Sequence, residues 1–228
     1  MKLLASGQTE PRKLPSGPDL TPTRMVELVT ELCSDWEYDA VSIGYPGLVG
    51  TQGPRAEPGN LGPGWVGFNF AAAFDCPVRV LNDAAMQALG SYDGGRMLFV
   101  GLGTGVGSAF IAQHVIVPLE LGRLPWRGKR ALAKTLGREG LERLGKRAWR
   151  KEVARAVEIL AHAFSVEYVV LGGGNAEHLR NVRTGTRVGH NMAAFRGGFR
   201  LWNLPDVSTL SAEGESPVQQ APGEWRVI

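Results

Sequence analysis

The hydrophobic pattern of the chain predicts strands that alternate with helices. Apolar runs of strand length cover residues 38–47, 76–81, both halves of 98–111, the residues before Glu120, and 167–171. Because residues 38–47 are apolar almost throughout, we expect that strand to be buried on both faces. Two shorter strands, with a turn at Gly7, are predicted before residue 18. The glycine-centred turn inside 98–111 joins two of the strands into a hairpin.

Helical periodicity predicts a helix over residues 22–36 and a largely helical region over 131–164. The first helix has Thr21 as a suitable cap and Pro22 in its first turn. Its apolar positions recur at helical spacing: Met25, Leu28, Val29 and Leu32. The second region carries one apolar stripe: Val153, Val157, Leu160 and Phe164. A further helix is expected to start near Ala176.

Two segments lack the periodicity of a core element. Residues 48–67 form a Gly/Pro-rich loop, in which Asn60 and Trp65 either face a ligand or only hold the loop together. Residues 203–228 carry Pro, Ser, Glu and Gln, and we interpret them as a flexible tail.

Composition is that of a globular protein. The 228 residues are 43% hydrophobic and 21% charged, enough for one large or two small domains. No apolar run reaches transmembrane length, and we expect no signal peptide at Met1. Cys33 and Cys76 are predicted to be free, buried thiols of a reducing compartment. Together with four scattered histidines they form no zinc pattern.

The positive charge of the chain is concentrated in one stretch. Residues 123–155 hold about a dozen Lys and Arg against three Glu, although the formal net charge is only +3. Such a stretch is either a solvated helical face or a site for a polyanion.

The turn inside 98–111 has four alternating glycines, with Thr104 among them: Gly101, Gly103, Gly105 and Gly107. Glycine permits φ > 0 and the close approach of another atom, so several N–H groups can converge on one phosphate. The alternative is that these glycines form only a turn. A dinucleotide fingerprint fits worse, because the register differs and a strand follows.

A carboxylate and a second glycine cluster complete the candidate chemistry. Asn82 and Asp83 end an apolar run and open a helix, where Asp83 is either a cap or a group facing a ligand. A carboxylate beside a phosphate cradle is the minimum needed for phosphoryl transfer. Three further glycines follow the run 167–171, where they form either a turn or a flat surface of bare backbone: Gly172, Gly173 and Gly174.

In this order, the motifs resemble those of the ROK sugar kinases, in particular the polyphosphate glucokinase branch. The resemblance covers about residues 1–202 and rests on GYPG, PGNLGPGW, LNDAAMQALGSY, GLGTGVGSA, ELGR, GREGLE and VVLGGGN. It implies an α/β protein with the actin-like ATPase (ribonuclease H-like) fold. The expected lobes are a small one over 1–82 and a larger one over 83–202, followed by the tail 203–228.

The resemblance implies a phosphotransferase that moves a phosphoryl group from ATP or polyphosphate to a hexose, with glucose at its 6-hydroxyl as the expected acceptor. Asp83 matches the catalytic base. The positions that match sugar-binding residues are Asn60, Asn82, Glu120, Arg123 and Glu142. The phosphate loop would be Gly103, Thr104 and Gly105, and the adenosine motif Gly172, Gly173 and Gly174. Mg²⁺ is the expected cofactor, bridging the donor phosphates.

The chain departs from the family pattern at two places. Arg123 stands where relatives have a His that binds sugar and often zinc, and GREGLE lacks the zinc-binding cysteines, so no zinc is expected. The family also opens with a strand carrying Asp-x-Gly-Gly-Thr, the first phosphate loop, whereas Met1 falls just past it. The turn at 93–95 is not a substitute for this loop. We therefore expect an N-terminally truncated fold, from either a misassigned start or a truncated gene.

The resemblance also bears on location and partners. We expect a cytoplasmic protein that binds a small-molecule sugar and, in one reading, polyphosphate, without nucleic acid or membrane partners. Because relatives are often dimers, a homodimer is one expected assembly. The rival hypothesis is a truncated or pseudo-kinase that binds sugar or a partner without catalysis.

Overall fold

A computed structural model describes residues 1–128, 130–190, 192–202 and 225–227. These residues divide into two compact units. The first unit is Met1–Asp83, and the second begins at Ala84 and includes the remaining described residues.

The first unit contains two helices and six short strands. The helices are α1 (Pro22–Leu32) and α2 (Phe70–Phe74). The strands are β1 (Lys2–Leu3), β2 (Arg12–Lys13), β3 (Val41–Tyr45), β4 (Val49–Gly50), β5 (Gly53–Pro54) and β6 (Val78–Asn82). Within residues 1–83 they pair only two by two: β1 with β2 and β4 with β5 antiparallel, and β3 with β6 parallel.

Helix α1 starts as predicted. The Thr21 side chain accepts a hydrogen bond from the Arg24 amide at 3.3 Å, and Pro22 is the first helical residue. The helix ends at Leu32 rather than at residue 36. The predicted burial of β3 on both faces is wrong. Only Tyr45 is buried in it, because β6 is its sole strand partner among the described residues of this unit.

The second unit is built on a six-stranded mixed sheet. Its strands are β7 (Met97–Leu102), β8 (Val106–Ala112), β9 (Val115–Leu119), β12 (Tyr168–Gly172), β13 (Thr186–Val188) and β14 (Arg226–Val227). Their order is β13-β12-β7-β8-β9-β14, and β7, β8 and β9 are successive antiparallel strands. Strands β10 (Pro125–Trp126) and β11 (Arg130–Ala131) form a separate pair. The predicted glycine-centred hairpin is therefore confirmed as β7 and β8.

Helices cover this sheet. They are α3 (Asp83–Gly90), α4 (Ala133–Leu136), α5 (Arg138–Ala163) and α6 (Ala193–Arg200), and 3-10 turns occupy Leu121–Arg123 and Gly174–His178. Three residues of the predicted stripe on α5, Val153, Val157 and Leu160, pack with alternate residues of β7 in one buried cluster, which confirms their burial. Phe164, just past the end of α5, is partly buried against the same cluster. Every residue of β7 is buried, as a central strand with both faces covered requires.

Two further expectations need correction. The chain forms only a 3-10 turn near Ala176, not a regular helix, and it then continues to β13. Residues 225–227 belong to an ordered strand region, since β14 pairs parallel with β9 and Trp225 packs against Tyr92 and His114. The rest of the predicted tail, 203–224 and 228, lies outside the described residues. No helix in the described part of the chain is both long enough and apolar enough to cross a bilayer.

Candidate active site

The turn between β7 and β8 is an open backbone segment of the second unit. The Gly103 amide donates to the Gly105 carbonyl at 3.1 Å, which closes the turn. Neither glycine has a positive φ, so the turn does not need glycine for its backbone conformation. A Cβ placed on either one would meet no heavy atom within 4 Å. The two glycines therefore leave space free above the backbone, as a close ligand requires.

The carbonyl side of the same turn is firmly held. Asn175 donates its side-chain amide to the Gly103 carbonyl at 2.9 Å, and the Arg138 main-chain N–H donates to it at 2.9 Å. In contrast, the amides of Thr104 and Gly105 have no hydrogen-bond acceptor among the described residues. Amides without an internal acceptor can bind an anion such as phosphate.

The second glycine cluster is more closely packed. A Cβ on Gly172 would lie 2.4 Å from the Phe99 ring, and one on Gly173 would lie 2.6–2.8 Å from the Leu102 backbone. Gly173 also has φ 77°, which disfavours any side chain. Only Gly174 has open space beside it. Packing thus accounts for two of these three glycines, and the third leaves room for a ligand.

Asp83 is exposed and is the first residue of α3. A carboxylate at this position interacts favourably with the positive end of the helix dipole. The next residue, Ala84, packs so closely on β8 that a Cβ on Gly107 would lie 2.7 Å from the Ala84 Cβ. Gly107 is therefore required for the close packing of α3 on the hairpin.

In the first unit, Asn82 stabilises the turn that follows β3. Its side-chain amide donates to the Gly47 carbonyl at 3.0 Å. Tyr45 is buried, and its hydroxyl donates to the Ala56 carbonyl at 2.7 Å; burial raises the pKa of Tyr45 to about 12. The GYPG segment is thus tied to the loop that follows it.

The Gly/Pro-rich loop of the first unit is held by Trp65. Its ring is buried between Tyr45 and Phe70, and its indole N–H donates to the Gly62 carbonyl at 2.8 Å. Of the two alternatives for Trp65, the structure supports the one that it holds the loop. Asn60 is exposed in a turn of the same loop. Sequence reasoning missed Glu57, which accepts hydrogen bonds from the Trp65 and Val66 amides; a lone Glu in a loop gave no signal for this role.

Of the other predicted sugar-binding residues, Glu120 and Arg123 lie together. The Arg123 Nε donates to the Glu120 carboxylate at 3.3 Å, and both side chains are exposed. Glu142 is exposed on the first part of α5, before Gly145 interrupts the helix with φ 71°. Arg123 can therefore orient the Glu120 carboxylate, whereas Glu142 stands on a different element.

The basic stretch divides into paired and unpaired cations. Five of them have protein partners among the described residues: Arg123 with Glu120, Arg127 with Glu152, Lys134 with Glu139, Arg143 with the Lys134 carbonyl, and Arg150 with the His178 carbonyl. Three others, spaced by four residues on the exposed side of α5, form no ion pair with any described residue: Arg147, Lys151 and Arg155. Like charges at this spacing destabilise a helix, so the fold itself does not account for the row.

Metal-ligating side chains are dispersed. Across residues 1–128, 130–190, 192–202 and 225–227, no three His, Cys, Asp or Glu lie close enough together to hold an ion. Cys33 and Cys76 are free, and only Cys33 is fully buried.

Comparison with known proteins identifies relatives of the chain. No protein-family model matches it. It is 27% identical over 169 residues to a polyphosphate glucokinase from Mycobacterium leprae, covering 68% of this chain and 52% of that protein. The structure matches an inorganic polyphosphate/ATP-glucomannokinase from Arthrobacter sp. with a TM-score of 0.66 and 25% identity, covering 83% and 86% of the two chains. The chain is therefore similar to a polyphosphate glucokinase in sequence and to a polyphosphate/ATP-glucomannokinase in structure.

Solved structures of ROK proteins have a fold similar to that of this chain. A ROK glucokinase from Streptomyces griseus, solved with glucose and AMPPNP, matches with a TM-score of 0.62 at 16% identity, over 83% of this chain and 90% of that one. The α/β architecture of this chain therefore matches that of ROK kinase structures, the actin-like ATPase fold. The chain spans only part of the length of the curated polyphosphate glucokinases it matches: 52% of the Mycobacterium leprae protein and 63% of one from Mycobacterium tuberculosis.

Proposed function

We propose that this protein is a ROK-type sugar kinase that transfers a phosphoryl group from ATP or polyphosphate to a hexose, most directly to the 6-hydroxyl of glucose. The observation that carries the proposal is the open turn at Gly103–Gly105. It offers two amides that have no acceptor among the described residues, at the tip of a hairpin in a fold that matches ROK kinases. Bare amides that converge on one point suit the negative charge of a transferring phosphoryl group.

In this proposal the residues of the second unit bind the donor. Thr104 adds a hydroxyl donor beside the amides of the turn, and Gly174 leaves room for a flat group against the backbone. Gly172 and Gly173 pack closely on β7, so they shape that surface without contacting the donor themselves. Backbone amides fixed in advance stabilise the developing charge without reorienting during the reaction.

Asp83 is the proposed catalytic base. Its carboxylate takes the proton from the sugar hydroxyl as the hydroxyl oxygen attacks the terminal phosphorus of the donor, which requires hydrogen-bond contact with that hydroxyl. The bond from this phosphorus to the bridging oxygen breaks, and ADP or a polyphosphate shorter by one phosphate leaves. The remaining hydroxyls are assigned to Asn60, Asn82, Glu120, Arg123 and Glu142. Carboxylates suit this task because each accepts hydrogen bonds from more than one hydroxyl. Arg123 supports the proposal through its hydrogen bond to Glu120.

Mg²⁺ fits this arrangement as an ion carried by the donor. It is usually held by substrate phosphates with one or two carboxylates, so a dedicated cluster of protein ligands is not needed. When bound, it neutralises the charge of the phosphates. The residues of this chain then hold the phosphates rather than enclose the ion. The free thiols of Cys33 and Cys76 agree with a cytoplasmic location, which is part of the same proposal.

The polyphosphate option is favoured by the row Arg147, Lys151 and Arg155. These three cations, which form no ion pair with any described residue, can neutralise successive charges of a linear polyanion. The test is donor competition at low salt with long-chain polyphosphate. We expect turnover with it, or slower use of ATP in its presence. If it neither supports turnover nor slows ATP use, polyphosphate is not a donor.

Substitution of the base tests the reaction itself. We expect Asp83→Asn to abolish transfer, by at least about a thousandfold in kcat, because the amide cannot accept the proton. Binding of glucose, measured by calorimetry, should change little, since Asn keeps the size and hydrogen-bonding capacity of the side chain. The assay is glucose 6-phosphate formation from ATP by the purified chain.

Two outcomes would contradict the proposal. Turnover retained in Asp83→Asn would remove Asp83 as the base. Absence of turnover by the unsubstituted chain, with glucose still raising its melting temperature, would instead indicate a protein that binds sugar without catalysis. Asp19→Asn is a suitable control, because it makes the same chemical change at an exposed residue to which no role in transfer is assigned.

A further inference from the structure

The Gly103–Thr104 peptide is held from two sides at the tip of the β7–β8 hairpin. We propose that Asn175 and the main-chain N–H of Arg138 clamp this peptide, so that the Thr104 amide faces the donor phosphate. The inference rests on the proposed function, and it assigns both groups a positioning role rather than a catalytic one.

The clamp follows from the geometry of one carbonyl. The Gly103 oxygen accepts from the Asn175 side chain at 2.9 Å and from the Arg138 amide at 2.9 Å. A carbonyl oxygen has two lone pairs, so these two donors satisfy it. In a trans peptide the C=O of one residue and the N–H of the next point in opposite directions. The Thr104 N–H therefore points away from both donors.

The space on that side is open. A Cβ on Gly103 or on Gly105 would meet nothing within 4 Å, and the Thr104 amide has no acceptor among the described residues. An amide so oriented is prepared to bind an anion without turning the peptide first. Because glycine has a flexible backbone, the two hydrogen bonds to the Gly103 carbonyl add to the closing bond of the turn in restricting the rotation of this peptide.

Both donors lie on secondary-structure elements of the second unit. Asn175 lies in the 3-10 turn after β12, and Arg138 is the first residue of α5. Gly137 lets α5 start this close to the turn, since a Cβ there would lie 2.7 Å from the Thr104 carbonyl. The sheet and the long helix thus fix the turn together.

The side-chain donor is tested with Asn175→Ala and Asn175→Asp. The first removes the donor, and the second places an acceptor of the same shape against the Gly103 carbonyl. The main-chain donor is tested with Arg138→Pro. Proline lacks the N–H but suits the first position of a helix, and the extended backbone of Gly137 before it is compatible with proline. Arg138→Ala is the matched reference, because it removes the same guanidinium but keeps the N–H.

The first readout is the Thr104 amide resonance in ¹H–¹⁵N spectra without ligand. The Thr104 nitrogen shares its peptide with the Gly103 carbonyl, so we expect its resonance to move in Asn175→Ala, and in Arg138→Pro relative to Arg138→Ala. The second readout is titration with tripolyphosphate. In the unsubstituted chain we expect the Thr104 amide to shift on binding, and each clamp variant to bind about tenfold more weakly, as for groups that orient a binding residue.

The outcomes separate this inference from the proposed kinase activity. If the chain phosphorylates glucose but Asn175→Ala and Arg138→Pro leave the Thr104 resonance and tripolyphosphate affinity unchanged, the clamp is wrong and the kinase stands. If the Thr104 resonance moves in the variants but tripolyphosphate never shifts it, the orientation toward phosphate is wrong. Should Arg138→Pro fail to fold, the two Asn175 variants decide, with Asn175→Asp expected to bind more weakly than Asn175→Ala.

Discussion

Two glycine segments of the second unit are alike in sequence and differ in surroundings. At Gly103–Gly105 a Cβ would meet nothing within 4 Å, and neither glycine has a positive φ. At Gly172–Gly173 a Cβ would collide with the Phe99 ring or the Leu102 backbone, and Gly173 has φ 77°. Neither packing nor backbone conformation therefore explains the glycines of the first segment. In the second segment, the space and the backbone conformation leave no room for a side chain.

This difference shows how to decide whether a glycine-rich segment binds a ligand. Composition alone treats both segments as phosphate or nucleotide sites. The surroundings separate a segment that packing explains from one that packing leaves unexplained. Gly174, which adjoins the packed pair but has open space, belongs with the turn at Gly103–Gly105 in this respect.

Gly173→Ala is expected to have the largest effect on stability. The added Cβ would lie 2.6–2.8 Å from the Leu102 backbone in a conformation with φ 77°, so either β7 or the turn must move. Strain and overpacking of this kind cost about 2–4 kcal/mol together. The measurement is the free energy of unfolding in urea.

Gly174→Ala is the matched control for this change. Its Cβ would meet nothing within 4 Å, and we expect a change within about 0.5 kcal/mol. Equal destabilisation by both substitutions would mean that general rigidity of the segment, not contact with Leu102, explains its glycines.

Gly172→Ala is expected to have an intermediate effect. Its Cβ would lie 2.4 Å from the Phe99 ring, which is itself buried, and the clash costs about 1–3 kcal/mol. A double-mutant cycle with Phe99→Leu isolates the contact, because the shorter side chain gives the Cβ room. Gly172→Ala should then cost less than half as much as in the unsubstituted background. If Gly172→Ala destabilised the Phe99→Leu background just as much, the clash would not be with the Phe99 ring.

Much of the fold was predictable because local rules agreed with the packing. Thr21 and Pro22 mark the start of α1, and the stripe from Val153 to Phe164 marks the buried face of α5. The failures occurred where tertiary contacts decide. The apolar run of β3 has one strand partner among the described residues, so it is less buried than its composition indicates. Strand β14 is too short for any pattern and is formed by pairing with β9.

The candidate site was predictable in its residue types but not in its supports. Motif order led to the turn at Gly103–Gly105 and to Asp83. Nothing in the sequence indicated that Asn175 reaches the Gly103 carbonyl, because the two residues are 72 positions apart and only the β12–β7 pairing brings them together. Similarly, the buried position of Trp65 was one of two alternatives until its neighbours were known.

The most direct test of the account is a paired measurement on Gly105→Ala. If the open turn exists for a ligand, the free energy of unfolding should stay within about 0.5 kcal/mol of the unsubstituted value, while AMPPNP or tripolyphosphate should bind at least about tenfold more weakly because the new methyl group occupies the phosphate position. The opposite result, a loss of stability with unchanged affinity for both phosphate compounds, would show that this turn is structural and that the donor binds elsewhere.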